Sequence, residues 1–160
     1  MTLTGNWSYP TAVRFGAGRI SELGEACSAA GISRPLLVTD RGLAWLPITN
    51  RAREIMAAAG LGDALFAEVD TNPNEINLAA GVAAYQAGGH DGVIAFGGGS
   101  GLDLGKMVAF MAGQTRPVLD CLGTAAGTSV ALSGHRCGYV GLLCCCCAAA
   151  VLLLCCCCAA

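Results

Sequence analysis

Apolar and polar residues recur with two different periods over the first 120 positions, and this change of period predicts strands that alternate with helices. Four short runs have strand character: residues 12–15, 36–39, 65–69 and 92–96. Four longer segments repeat apolar residues at helical spacing: residues 20–30, 50–59, 74–87 and 100–112. In the third of these, Asn74 is expected to cap the helix. Alternation of this kind favours a parallel α/β sheet covered by helices on both faces.

Charge and cysteine content divide the chain in two. All eleven acidic residues lie between Glu22 and Asp120, whereas ten of the eleven cysteines lie in the last forty residues. We therefore expect an α/β domain over residues 1–120 and an aberrant, low-complexity Cys/Ala/Leu tail over 121–160.

The composition excludes some classes of partner. The net charge is −2 and Lys106 is the only lysine, so no basic stripe is available to bind nucleic acid. The N-terminus lacks the pattern of a signal peptide, and Cys27 alone precedes residue 121, so no disulfide framework is expected in the domain. These features predict a cytoplasmic protein.

The segment GGGSGLDLGK at residues 97–106 is the strongest chemical signal. Glycines let the backbone turn and approach a ligand closely. Ser100 is expected to cap the following helix, with Asp103 completing a capping box, and Lys106 could add positive charge. The free amides of the first helical turn form an anion site suited to a phosphate or pyrophosphate.

Two other phosphate motifs do not match this segment. A P-loop would need glycine at Ser100 and serine or threonine at Met107, and the strict G-x-G-x-x-G pattern fails at Leu102. A looser glycine spacing remains, at residues 99, 101 and 105. A strand-to-helix turn that needs glycine only for its geometry is the alternative interpretation.

The segment resembles the GGGS-x-x-D-x-x-K signature of the iron-containing (group III) alcohol dehydrogenases. Four further segments are similar to the family in order and spacing, so the resemblance covers about residues 9–120. They are Phe15–Gly18, Val38–Asp40, Asp70–Asn74 and Asp91–Ile94.

The resemblance implies a Rossmann-like domain of a two-domain, NAD(P)-dependent oxidoreductase. It assigns the pyrophosphate to the turn at residues 97–100 and the adenine ribose to Asp40, whose carboxylate would favour NAD over NADP. Asn72 either lines the cofactor cleft or simply forms a turn. Within residues 1–120, the residues expected to bind the cofactor are Asp40, Asn72, Gly97, Gly98, Gly99, Ser100, Asp103 and Lys106. In the loop at 124–129, Thr124 and Thr128 match the family less well, because the loop comes early and lacks its glutamate.

The family holds Fe²⁺ or Zn²⁺ with one aspartate and three histidines of a helical domain, and no residue here matches them. That domain is expected to be absent, so no catalytic or metal-binding residue is assigned, and His90 is expected to be a surface turn histidine. An intact member would be a homodimer acting on an alcohol or aldehyde. The chain is therefore interpreted as a truncated, inactive cofactor-binding half of an NAD-dependent alcohol dehydrogenase.

Alternatives stay open at this point. The chain could be a non-catalytic nucleotide-binding or membrane-anchored remnant, or a relative of glycerol dehydrogenase or dehydroquinate synthase. The tail itself could be frameshifted or artificial, an acylated membrane anchor of about 20 apolar residues, or a thiolate metal cluster.

Overall fold

A computed structural model describes residue 14, residues 18–114, and the backbone of two short segments further along the chain. Its strands are β1 (Pro35–Val38), β2 (Leu65–Phe66), β3 (Gly92–Gly97), β4 (Tyr139–Val140) and β5 (Ala150–Cys155). Its α-helices are α1 (Leu23–Ala29), α2 (Pro47–Ala58), α3 (Glu75–Ala87) and α4 (Gly99–Ala112), and a 3-10 helix, Arg19–Glu22, leads into α1. The strands pair in the order β2-β1-β3-β5-β4, and every pairing is parallel.

Alternate residues of the central strands face opposite sides of the sheet. One face packs Leu36 and Val38 of β1 and Val93 and Ala95 of β3 against α3 and α4. On the other face, the intervening residues pack against α1 and α2: Leu37, Ile94 and Phe96. The predicted parallel sheet with helices on both faces is therefore confirmed, and β3 is buried along its whole length.

Two glycines allow the elements of one face to approach closely. A Cβ atom added at Gly105 would lie 2.5 Å from Cβ of Ala95, so α4 sits directly on β3. A Cβ atom added at Gly81 would lie 2.6 Å from Cγ2 of Val108, so α3 and α4 also pack tightly together. Contacts this short leave no room for a side chain, and they fix the position of the N-terminus of α4 over the sheet.

The predicted cap of α3 is confirmed. The Asn74 side chain accepts hydrogen bonds from the amides of Ile76 and Asn77, at 2.9 and 3.2 Å. In return, Asn77 Oδ1 accepts a hydrogen bond from the Asn74 amide at 3.0 Å. These reciprocal bonds satisfy donors that a helix N-terminus otherwise leaves free.

Some predicted boundaries were wrong. Helix α2 begins at Pro47, because proline suits the first turn of a helix, where its missing N–H costs no hydrogen bond. The strand predicted over 65–69 contains only Leu65 and Phe66, because β1, its one neighbour among the described strands, ends at Val38, the partner of Phe66. The strand predicted at 12–15 falls, apart from residue 14, outside the described residues.

Strands β4 and β5 bring backbone from the C-terminal segment into the same sheet, with Cys155 in register with Gly97. The division at residue 120 remains a prediction. Within the described part of the chain, no helix is both long and apolar enough to cross a membrane.

Candidate functional site

The loops that follow β1, β2 and β3 meet at the carboxyl edge of the sheet. After β1 the chain passes to β2 on one side, and after β2 it crosses to β3 on the other side. Open α/β sheets bind ligands at the carboxyl ends of the strands where such a reversal occurs, here beside the end of β1. The glycine-rich segment begins at the end of β3, next to β1.

Gly97 forms the sharp turn out of β3. Its φ of +125° is a conformation that other residues rarely adopt. A Cβ atom at this position would lie 2.5 Å from Cδ1 of Leu43, and 3.5 Å from Oδ2 of Asp40. The turn after β3 is therefore packed against the loop after β1, and only glycine fits between them.

Gly98 and Gly99 are exposed, and a Cβ atom added at either would meet no atom of the described residues within 4 Å. Gly98 is the N-cap of α4, and its carbonyl accepts the first helical hydrogen bond, from the Leu102 amide. No described side chain caps this end of the helix. The first amides of α4 thus lie beside open space, an arrangement that suits an anion with several oxygen acceptors.

The expectation that Ser100 caps α4 with Asp103 was wrong. The helix begins at Gly99, so Ser100 already lies within its first turn, and its hydroxyl donates a hydrogen bond of 2.5 Å to the carbonyl of Thr71. Asp103 is exposed and pairs with Lys106 at 3.1 Å, one helical turn further along. Ser100 joins two loops of the carboxyl edge, whereas the Asp103–Lys106 pair lies on the helix itself.

Gly101 completes the close approach of α4 to the strands. A Cβ atom there would lie 2.8 Å from the Phe96 carbonyl oxygen and 3.6 Å from the Asp40 amide nitrogen. Together with Gly105, it explains the loose glycine spacing seen in the sequence. Gly99 leaves the ligand side open, while Gly101 and Gly105 allow the helix to pack against the sheet.

The two carboxylate oxygens of Asp40 have different surroundings. Its Oδ1 accepts a hydrogen bond of 2.9 Å from the Leu43 amide and so shapes the turn after β1. Its Oδ2 faces the Gly97 turn and makes no hydrogen bond within the described residues. One carboxylate oxygen is therefore used by the fold and the other is free for a ligand hydroxyl.

Thr39 is a residue that the sequence analysis missed. Its side chain is fully buried, yet Oγ1 has no hydrogen-bond partner in the described part of the chain. It lies 3.5 Å from the Cβ position of Gly97, on the same turn that Asp40 faces. Buried hydroxyls are nearly always paired, so the partner of Thr39 Oγ1 is expected outside the described residues, either in another part of the chain or in a ligand. A threonine that directly precedes a strand-end aspartate was the available signal.

The loop after β2 is tied to both neighbouring loops. Besides the Ser100 bond, Asp70 accepts a hydrogen bond from Asn77 Nδ2 at 3.0 Å and one from Arg41 Nε at 3.1 Å. The hydrogen bond from Asn77, followed by that from Arg41, lowers the pKa of Asp70. Asn72 lies exposed on this loop.

The structure thus brings together the residues 97–100 and Asp40, and it places Asn72 on the adjoining loop. Thr124 and Thr128 lie outside the described residues. His90 lies in the turn between α3 and β3, at the opposite edge of the sheet, with Nδ1 3.0 Å from the Arg34 carbonyl oxygen. Among the described residues, no group of three or more His, Cys, Asp or Glu side chains could hold a metal ion.

Comparison with known proteins agrees with this geometry. A family model described as iron-containing alcohol dehydrogenase matches residues 10–136, beyond the expected limit near residue 120. A 4-hydroxybutyrate dehydrogenase from Cupriavidus necator is 41% identical over 104 residues, which are 65% of this chain and 27% of that protein. The family resemblance of the motif is confirmed.

Solved structures show the same fold. A 1,3-propanediol oxidoreductase superposes with a TM-score of 0.60 and 34% identity, over 64% of this chain and 26% of its own. A sulfoacetaldehyde reductase from Bifidobacterium kashiwanohense, crystallised with NAD⁺, is 24% identical and has a TM-score of 0.65, over 78% of this chain and 33% of its own. The chain spans about a quarter to a third of the length of these proteins.

Proposed function

Because the chain belongs to the iron-containing alcohol dehydrogenase family, we propose that it is the nucleotide-binding part of an NAD-dependent alcohol dehydrogenase. The observation that carries the proposal is the open space over Gly98 and Gly99, at the uncapped N-terminus of α4. The pyrophosphate of NAD would accept hydrogen bonds from the first amides of this helix. Each such bond is charge-assisted, and the helix dipole adds to the attraction.

Asp40 would hold the adenine ribose. Its free Oδ2 can accept a hydrogen bond from the 2′-hydroxyl of NAD, while its negative charge repels the 2′-phosphate of NADP. The unpaired Thr39 hydroxyl lies beside the same turn and can bond to a polar group of the nucleotide. Three polar features therefore suit a dinucleotide: the Thr39 hydroxyl, the Oδ2 atom of Asp40 and the glycine turn at residues 97–100.

When bound, NAD supplies the hydride acceptor for oxidation of an alcohol carbon, and the reverse reaction reduces an aldehyde. The residues of this chain bind and orient the nucleotide, because they fix its pyrophosphate and adenine ribose at the edge of the sheet. We expect the whole protein to act on a small alcohol or aldehyde in the cytoplasm.

The described residues do not form a site for the iron ion after which the family is named, because no three of their His, Cys, Asp or Glu side chains could bind one metal ion together. We propose that this 160-residue polypeptide does not oxidise alcohols by itself. The assay is NAD reduction with short alcohols and 1,2-diols, with Fe²⁺ or Zn²⁺ added under reducing conditions. Turnover by the purified chain, with or without added metal, would contradict this proposal, and its loss in His90→Ala would assign the metal to His90.

Binding of the nucleotide is tested separately from turnover. NADH fluorescence should change on titration with the chain, and ADP, which contains the pyrophosphate but no nicotinamide, should displace it. Failure of the purified, folded chain to bind either nucleotide at millimolar concentration would overturn the proposed function.

A further inference from the structure

Asp40 and Arg41 are neighbours in sequence, but their side chains contact opposite sides of the carboxyl edge. The Asp40 carboxylate faces the Gly97 turn, on the side of β3. The Arg41 guanidinium donates from Nε to Asp70, on the side of β2, and the Arg41 amide also approaches the Val69 carbonyl at 3.4 Å. Because β1 lies between β2 and β3, the two contacts diverge from the end of the same strand.

The Asp70 carboxylate is fixed by a hydrogen bond from a buried side chain of α3, Asn77. Asn77, which is only 5% exposed, donates from Nδ2 both to Asp70 and to the Glu68 carbonyl, the latter at 2.9 Å. The capping box at Asn74 further fixes Asn77. Arg41 has no such support, because 61% of its side chain is exposed and Asp70 is its one ion-pair partner among the described residues. Within the described residues, the Asp70 carboxylate therefore has a second hydrogen-bond partner, Asn77, whereas the Arg41 guanidinium bonds only to Asp70.

We infer that Asp70 is a second determinant of the choice of nucleotide, because it holds Arg41 away from the ribose that Asp40 contacts. This inference rests on the proposed function. A free arginine next to the ribose-binding carboxylate is well suited to a 2′-phosphate, since its planar donors match phosphate oxygens. Paired with Asp70, Arg41 leaves the negative charge of Asp40 unopposed. The Arg41–Asp70 pair thus strengthens the preference for NAD, and Asp70 acts as a positioning residue.

The test compares the affinities of NADH and NADPH in a small set of variants of the full chain. Asp70→Ala should release Arg41 and tighten NADPH binding by about fivefold to tenfold, because an arginine–phosphate pair forms charge-assisted hydrogen bonds. The readout is the ratio of the NADPH and NADH affinities, because a general loosening of the loop would weaken the binding of both nucleotides alike. The gain in NADPH affinity should shrink as salt is added, because salt screens the attraction between Arg41 and the phosphate. Asp70→Glu keeps the carboxylate and should keep the NADH/NADPH affinity ratio of the unaltered chain.

Asp63→Ala is the matched control. It breaks a comparably exposed ion pair, Arg53–Asp63 at 2.8 Å, which joins α2 to the chain before β2 and does not touch the three loops. This variant should keep the NADH/NADPH ratio of the unaltered chain. Asp70→Asn, which removes the charge but keeps an amide near Asn77, should move the ratio in the same direction as Asp70→Ala.

A double substitution assigns the effect to Arg41. In an Arg41→Ala background, Asp70→Ala should leave NADPH binding unchanged. Persistence of the gain in NADPH affinity in that background would overturn the role of Arg41. An unchanged NADH/NADPH ratio in both Asp70→Ala and Asp70→Asn would overturn the inference while leaving the proposed function intact. If the unaltered chain binds neither nucleotide, the proposed function and the inference fail together.

Discussion

The Ser100 hydroxyl donates a hydrogen bond of 2.5 Å to the carbonyl oxygen of Thr71, and this bond joins the turn after β3 to the loop after β2. The two residues are 29 positions apart in the sequence. With the Arg41–Asp70 pair and the packing of Gly97 on the loop after β1, it links the three loops at the carboxyl edge to one another. The turn proposed to bind the pyrophosphate is therefore fixed by contacts with the neighbouring loops as well as by its connection to β3.

Ser100→Ala should weaken NADH binding about threefold to tenfold, because the lost hydrogen bond lets the turn move relative to the loop after β2. A net hydrogen bond of this kind contributes about 0.5–1.5 kcal/mol. Fluorescence titration with NADH measures the effect. Ser21→Ala, which removes a similar hydroxyl-to-carbonyl bond to Gly18 at 3.1 Å away from the edge, should leave the affinity unchanged. Equal affinities in all three proteins would show that the bond is irrelevant to binding.

Asp40→Asn should relax discrimination against NADPH by about tenfold, because it removes the negative charge and keeps an oxygen that can accept from the Leu43 amide. Asp40→Gly removes both functions and should in addition lower the free energy of unfolding. The NADH/NADPH affinity ratio, measured for each variant, separates the two effects. An unchanged ratio in both variants would remove Asp40 from the site.

Asn74→Ala should destabilise the protein by about 1 kcal/mol, because two amides at the start of α3 lose their acceptor. Urea unfolding followed by circular dichroism measures the change. Asn50→Ala replaces an exposed asparagine within α2 and should have a smaller effect. If the two variants are equally stable, the capping box does not stabilise α3.

Asp91 should make stability depend on pH in the acid range. Desolvation raises the pKa of Asp91, but hydrogen bonds from Ser33 and Arg34 lower it by more, so the net pKa lies below its ordinary value of 3.8. A lowered carboxyl pKa stabilises the fold above the unfolded-state pKa, and this contribution is lost as pH falls through the folded-state pKa. Asp91 is exposed and solvent screens its interactions, so Asp91→Asn should cost no more than about 1 kcal/mol at pH 7. The difference from the unaltered chain should shrink below about pH 4, and a pH-independent difference in unfolding free energy would contradict this assignment.

Local signals in the sequence predicted part of this structure well. The apolar run ending in three glycines located β3 and the turn after it, and the Asn74 cap was predictable because its partners lie within three residues. The cap assigned to Ser100 was wrong for the converse reason. A serine with an acidic residue three positions later satisfies the local pattern, but Gly98 already ends the turn and the hydroxyl bonds to a distant loop.

Long-range features of the site were not predictable from spacing. The burial of Thr39 and the pairing of Arg41 with Asp70 depend on how three separate loops meet at the edge of the sheet. The sequence did place Asp40 and Gly97 at the ends of strands. It could not show that one oxygen of Asp40 shapes its own turn while the other faces Gly97.

The central claim is that the amides at the start of α4 hold a pyrophosphate, and Gly99→Val tests it most directly. In the described part of the chain no atom lies within 4 Å of the Cβ position of residue 99, so valine should block the ligand and leave the fold intact. Ala57→Val, at an exposed position of α2, is the control for placing a β-branched residue in a helix. NADH titration should show that Gly99→Val loses at least about tenfold in affinity, equivalent to ~1.4 kcal/mol, while Ala57→Val binds like the unaltered chain. Equal NADH affinity in Gly99→Val and the unaltered chain would contradict the claim.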